Sequence, residues 1–458
     1  MAATDCLTDD ANNACVIEGV RKGDLDAWLA RHADDRTWLQ ACGFTATPGD
    51  VCLLPAVDGG LAGILLGLGD EPRWQWASLP RQLPEGVYRL TDDIHGQDAA
   101  DAVLGWALGS YGFHRYRDRA SRSVRLLWPS AAPRAQLERT IEAVAFVRDL
   151  INTPASDMGP EELAEAARSL ARGFGAHHRI TVGNDLLREN YPAIHAVGRA
   201  SNRQPRLIDL TWGEADHPKV TLVGKGVCFD TGGLDLKPSG AMKLMKKDMG
   251  GAAIVLGLAR MVMAAGLPVR LRVLIAAVEN SVAGNAMRPL DVIRTRKGLS
   301  VEIGNTDAEG RVILADALTE AATEDPALLV DVATLTGAAR VALGSEVPAM
   351  FTPDDALAER LLAIGTEVGD PLWRLPLWQP YRRHLDGKTA DLTNAPDTPF
   401  AGAILAALFL AEFAAPVRPW VHLDVMAWNT DSRPGRPEGG EAMGMRALYG
   451  LIEQRFSR

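Results

Sequence analysis

Three apolar runs constrain this chain most: VTLVG (220–224), VRLRVLIAAVEN (269–280) and ALLVDVATL (327–335). They are rich in β-branched residues and barely interrupted by polar ones, which is the pattern of strands covered on both faces. Between them lie stretches with helical spacing, GGAAIVLGLARMVMAAG (250–266) and a segment inside DAEGRVILADALTEAATED (307–325). Buried strands alternating with helices predict an α/β fold with a central sheet, mostly parallel or mixed, flanked by helices. Ligands of such sheets sit beyond the carboxyl ends of the strands. The polar residues that follow these runs are therefore the first candidates for a site.

The chain of 458 residues is long enough for two or three domains. In its first part, VCLLPAV (51–57) and LAGILLGLG (61–69) read as strands joined through Asp58-Gly59-Gly60, a hairpin signal. DAADAVLGWALGSYGFHRYR (98–117) has helical spacing, and SAAPRAQLERTIEAVAFVRDLI (131–152) is amphipathic, with Pro133 at its start and Asn152-Thr153-Pro154 at its end. The reading is a smaller N-terminal α/β domain over 1–130, a linking helix over 131–158 and a larger C-terminal α/β domain over 159–458.

A net charge of −10 gives no general attraction to phosphate backbones and disfavours nucleic acid as a partner. The five cysteines (Cys6, Cys15, Cys42, Cys52, Cys228) form no CxxC pair, so neither a disulfide framework nor a thiolate zinc site is expected, and a reducing cytoplasm fits. The N-terminal segment lacks a basic stretch followed by an apolar core, so it does not read as a secretory signal. The apolar stretches 250–269 and 401–411 are broken by Arg260 and closed by Glu412, so no membrane span is expected.

Two stretches carry the chemistry. VGKGVCFDTGGLDLKPSGAMKLMKKDMGG (223–251) follows a strand and holds Lys225, Asp230, Lys237 and Asp248; GNTDAEGR (304–311) opens a helix and holds Asp307, Glu309 and Arg311. Glycines 224, 226, 232 and 233 would let the backbone turn tightly. Four carboxylates gathered at an apolar sheet end would repel one another, and two divalent cations would neutralise them. Oxygen donors without Cys or His suit Mg²⁺, Mn²⁺, Co²⁺ or Zn²⁺. Two such ions about 3.5–4 Å apart activate a water for attack on a carbonyl. Lys237 and Arg311 would face the developing negative charge. Lys225, beside two dications, would give up its proton and offer its amine to a metal. On residue types alone, the same acids also read as helix caps or solvated loops.

GKGVCFDTGG with LKP and KKDMGG, followed by NTDAEGR and LADAL, resembles the leucyl aminopeptidase family of dinuclear metallo-exopeptidases in residue types and in spacing. RDLINTPASDMGPEELAE (148–165), ATLTGAARVALG (333–344), PLWRLPLW (371–378), ADLTN (390–394) and WVHLD (420–424) resemble family segments in the same order. The resemblance covers about 145–458 and is faint before residue 130. It implies that Asp230 and Glu309 bridge two metals, that Lys225 and Asp248 complete one site, and that Asp307 completes the other. It gives Lys237 the substrate carbonyl and places a bicarbonate, acting as general base, at Arg311. Met245 would line the pocket for the first side chain, and Leu335 and Gly337, with Asn305 and Thr334, would contact the peptide. The implied enzyme is a cytoplasmic homohexamer that removes N-terminal residues, neutral or apolar ones such as Leu, from peptides. Manganese or zinc is the implied metal, with magnesium or cobalt as further options. Departures are Thr231 where Ser is frequent, Cys228, the basic Lys246-Lys247 and the ending SRPGRPEGGEAMGMRAL (432–448), which bear on specificity rather than on the proposed ligands.

Two other function classes are weighed: a hexameric scaffold or nucleic-acid-binding regulator with dispensable catalysis, and a narrow-specificity dipeptidase. Ser239, His422 and Asp424 suggest a serine hydrolase only superficially, because no GxSxG elbow surrounds Ser239. His422 reads as a structural histidine, His177-His178 as a solvated loop pair, and Cys228 as a small apolar filler. Gly224-Lys225-Gly226 belongs to neither GxxxxGK[ST] nor GxGxxG, so a nucleotide role is poor.

Overall fold

The run read as VTLVG is the start of a single strand of 12 residues, Lys219–Asp230. The computed structural model describes residues 3–70, 72–117 and 122–457; Met1 and Ala2, at the head of the N-terminal segment, lie outside that description. The expected loop after Gly224 is thus strand as far as Asp230. Parallel pairing with Arg270–Asn280 runs along it to Asp230, and parallel pairing with Leu328–Ala333 on the other side covers Val220 to Gly224. The full sheet has eight strands in the order Trp373–Arg374, Ala349–Phe351, Trp420–Asp424, Leu328–Ala333, Lys219–Asp230, Arg270–Asn280, Arg206–Trp212, His177–Val182. It is mixed: the centre is parallel, while Ala349–Phe351 and the last two strands pair antiparallel. His177 and His178 are exposed as expected, but they begin an edge strand rather than sitting in a loop.

Strand side chains alternate between faces. A Cβ on Gly224 would meet Ala252 Cα at 2.7 Å, so that face carries the helix Gly250–Ala264. Lys225 points the other way, where a Cβ on Gly310 would meet its Cε at 2.5 Å, so this face carries the helix Glu309–Ala322. Gly224 and Gly226 therefore serve close packing rather than turning, which corrects the sequence reading. Turning falls to Gly232 and Gly233, at φ +89° and +69°, where a side chain would be strained. The second face is closed by Gly402–Ala414, whose Leu405, Phe409 and Phe413 join Val223, Val227, Val312 and Leu318 in one core.

Asp230 lies five positions after Lys225, which in regular alternation puts them on opposite faces. The register with Arg270–Asn280 shifts between Val278, opposite Val227, and Glu279, opposite Phe229. Cys228 is the extra residue. Such a bulge resets the alternation and brings Asp230 to the side of Lys225. Cys228 itself is fully buried, and burial pushes its thiol well up, consistent with a filler rather than a nucleophile.

The chain divides into two compact units, Met1–Ala145 with Asp431–Glu438, and Phe146–Thr430 with Gly439–Arg458; the division falls inside the helix Arg134–Asn152. The first unit holds a six-stranded sheet in the order Leu7–Thr8, Val124–Leu127, Gly86–Leu90, Cys15–Arg21, Leu61–Leu68, Val51–Pro55. Val51–Pro55 and Leu61–Leu68 form the antiparallel hairpin read from the sequence. Among the described residues, no helix is long and apolar enough to cross a membrane.

Candidate metal centre

Lys225 and Asp230 come from one strand, Asp248 from the turn of helix Met245–Met249 just before Gly250–Ala264, and Glu309 from the first position of Glu309–Ala322. They meet beyond the carboxyl ends of the central parallel strands. Carboxylate oxygens of Asp230, Asp307 and Glu309 lie within 4.8 Å of one another. Lys225 Nζ stands 2.7 Å from Asp248 Oδ2 and 3.0 Å from Glu309 Oε1, and also donates to Thr334 O at 3.0 Å. Lys237 Nζ is 2.8 Å from Asp230 Oδ2 and pairs with Asp307 Oδ1. Six of the seven side chains named from these two stretches therefore gather in one place. Arg311 follows two residues after Glu309, buried, and donates to Asn394 O at 2.6 Å.

The electrostatics follow from four carboxylates against two ammoniums. Burial disfavours a charge on Lys225, yet Asp248, Glu309 and Asp230 outweigh it and hold the ammonium above its ordinary value. Lys237 behaves alike, with Asp230 as the main partner. With carboxylates for neighbours, Lys225 is thus an ammonium, whereas the amine donor read from the sequence belongs to a centre carrying dications. Burial, with Asp230 next, pushes Glu309 up to about 8 despite Lys225 and Lys237. Burial and Asp230 also raise Asp307. Burial pushes Arg311 down to about 10 against the pull of Glu309 and Asp424.

The donor set fits hard or borderline divalent ions. Asp307 Oδ1 and Glu309 Oε1 are buried and each faces a lysine, yet neither accepts a hydrogen bond in good geometry among the described residues. Arg311 Nε is likewise buried without an acceptor among the described residues, which suits an anion.

Residues 145–449 match the model of the cytosol aminopeptidase family, catalytic domain, and 15–129 match that of the M17 aminopeptidase N-terminal domain. The chain belongs to the cytosol aminopeptidase family. It is 40% identical over 382 residues to peptidase B of Serratia proteamaculans, covering 80% of this chain and 89% of that protein. It is similar to the crystal structure of a cytosol aminopeptidase from Coxiella burnetii, with TM-score 0.95 and 49% identity over 99% of this chain and all of that one. The bottromycin maturation enzyme BotP, in complex with Mn, matches with TM-score 0.85 and 36% identity over 96% of this chain and 99% of its own. As a member of this family the protein is a metal-dependent hydrolase of the metallo-exopeptidase class, an aminopeptidase.

In the cytosol aminopeptidase fold of this chain, the remaining candidates are placed as follows. Met245 is buried, three residues before Asp248. Asn305 accepts from Asp307 N at 2.7 Å, and so shapes the loop that carries the acid. Thr334 Oγ1 donates to Asp248 Oδ1 at 2.8 Å, which makes it a support for that carboxylate. Leu335 commits its N–H to Asp424 Oδ1 at 3.0 Å. Gly337 opens the helix Gly337–Leu343.

Several supports were not named from the sequence. Asn280 Nδ2 donates to Asp230 Oδ1 at 2.9 Å and to Thr306 O at 3.1 Å, tying the two halves of the centre together. Thr306 and Asp235 exchange hydrogen bonds of 2.8 Å, fastening the loop after Asp230 to the loop before Glu309. Asn394, the last residue of ADLTN, accepts from Gly304 N at 2.8 Å and donates to Asn305 O at 2.8 Å. Single amides and hydroxyls leave no periodic trace in a sequence; only the position of Asn280 at a strand end offered a hint. His422 is the structural residue expected: it is fully buried, with Nδ1 2.6 Å from Asp331 Oδ1. Ser239 is exposed at the start of the short helix Ser239–Met242.

Proposed function

We propose that the protein hydrolyses the N-terminal peptide bond of peptides at a pair of divalent ions, with preference for neutral or apolar first residues such as Leu. The observation that carries this is the convergence of Asp230, Asp307 and Glu309 within 4.8 Å, beside Lys225 and Asp248. Ions held by Lys225, Asp230, Asp248, Asp307 and Glu309 would supply a water nucleophile at neutral pH and a seat for the free α-amine. Manganese, with which BotP forms its complex, and zinc both suit the donors, and magnesium or cobalt is compatible with them.

Lys237 polarises the scissile carbonyl and steadies the oxyanion. Its side chain is 12% exposed against 4% for Lys225, so it is the lysine that a substrate reaches. Arg311 is the place for bicarbonate as general base, supported by its unsatisfied buried Nε. Asn394 O holds the guanidinium through Nη1.

Homohexameric assembly belongs to the same proposal. Val341, Trp373, Trp378 and Phe400 are exposed apolar side chains that a subunit interface would cover. A cytoplasmic location is supported by five free cysteines.

The deciding assay uses a leucine anilide and its N-acetylated form. Cleavage of the free amine alone, lost on chelation and regained with Mn²⁺ or Zn²⁺, is expected. Equal cleavage of both forms, or activity that survives chelation, would refute the proposal. A second expectation concerns Thr334. Thr334→Val removes the hydroxyl from Asp248 and should weaken metal affinity by about 10- to 100-fold, while Thr334→Ser restores it. Metal titration followed by activity checks both.

A further inference from the structure

The first unit contains a cavity of about 320 Å³ that plays no part in the centre described above. It lies at the carboxyl ends of three mutually parallel strands: Arg21 ends Cys15–Arg21, Leu68 ends Leu61–Leu68, and Asp93 and Ile94 follow Gly86–Leu90. That is where open α/β sheets take their ligands. The size is that of a small-molecule site.

The lining has a definite chemistry. Four carboxylates, Glu18, Asp24, Asp93 and Asp98, and two guanidiniums, Arg21 and Arg31, surround it. None of the six forms an ion pair among the described residues. Arg21 spends one donor on Gly69 O at 3.0 Å, leaving the others for a ligand. Trp28 and Trp76 supply apolar surface. Trp28, a lining residue, is 2% exposed, and its buried indole N–H meets no acceptor among the described residues. An unpaired buried donor calls for an acceptor from outside. The carboxylate excess argues against phosphorylated ligands.

An acceptor for Trp28 and the arginines, a cation for the acids and an apolar body for the indoles describe one kind of molecule. We propose that this cavity binds a free α-amino acid as a zwitterion, its carboxylate taken by Arg21, Arg31 and Trp28 Nε1 and its ammonium by the surrounding Asp and Glu side chains. Amino acids are what an aminopeptidase releases, so the site would sense product. That last clause rests on the proposed function; the binding chemistry does not.

The test is calorimetric titration of the full chain with each proteinogenic amino acid in turn, then with the amide and the N-acetyl derivative of any that binds. Saturable binding is expected, kept in Glu309→Ala and lost for both derivatives. Arg21→Ala and Asp98→Asn, each at an exposed side chain, should weaken it by about tenfold or more, one charged hydrogen bond apiece. Circular dichroism and unchanged anilide hydrolysis without added amino acid would show those two variants folded. The proposal is overturned if no amino acid binds, if binding survives both surface variants unchanged, or if it disappears in a folded Glu309→Ala chain, which would assign it to the metal centre. Failure of the anilide assay would bear on the function alone and leave this titration readable.

Discussion

Glu309→Ala should reduce peptide hydrolysis by about a thousandfold or more, since the change strips a carboxylate from the middle of the centre. Glu309 is 1% exposed, lies among Asp230, Asp248, Lys225 and Lys237, and begins the helix that also carries Arg311. The next residue, Gly310, is packed on Lys225, where an added Cβ would meet its Cε at 2.5 Å, so the start of this helix is held close to the centre. Glu309→Gln keeps the shape and removes the charge, and should be nearly as inactive. Bound metal by elemental analysis, together with turnover of the leucine anilide, checks both variants. A folded Glu309→Ala chain with near-normal turnover would remove Glu309 from the mechanism.

Lys237→Ala should act differently. Its expected effect is a fall in kcat of about 100- to 1000-fold, with metal content nearly unchanged. Lys237 is anchored by Asp230 and Asp307 but is not read as a metal ligand, so its loss removes a cation from the carbonyl oxygen rather than a donor from an ion. Lys237→Arg keeps the charge on a broader head and should recover only part of the rate. A loss of metal equal to the loss of rate would instead make Lys237 part of the metal-holding set.

The acids and lysines of the centre were legible because they sit in two dense stretches, 223–251 and 304–311, flanked by apolar strands. The central sheet was legible from the same strands. What sequence could not supply was geometry across strands. The bulge at Cys228 is a fact of pairing with Arg270–Asn280, and without it the spacing of Lys225 and Asp230 argues for opposite faces. Gly224 and Gly226 looked like turn residues because only the packed helix at Ala252 shows why a side chain is forbidden at the first. In the first unit, Cys15–Arg21, Gly86–Leu90 and Val124–Leu127 escaped notice, since strands of 7, 5 and 4 residues with polar interruptions carry little pattern. Asn280, Thr306 and Asn394 gain their meaning only from partners 26 to 90 residues away.

Lys225 and Asp230 ride on a strand of the central sheet, paired there with Ala276 and Asn280, whereas Asp307 stands on a loop and Asp248 on the short helix Met245–Met249. Fraying reaches connecting segments long before it reaches the middle of a sheet. Activity that fades on gentle warming, before the molecule comes apart, would therefore trace to those two acids drifting out of place. Engineering for durability should brace the approaches to them and leave the interior strand alone.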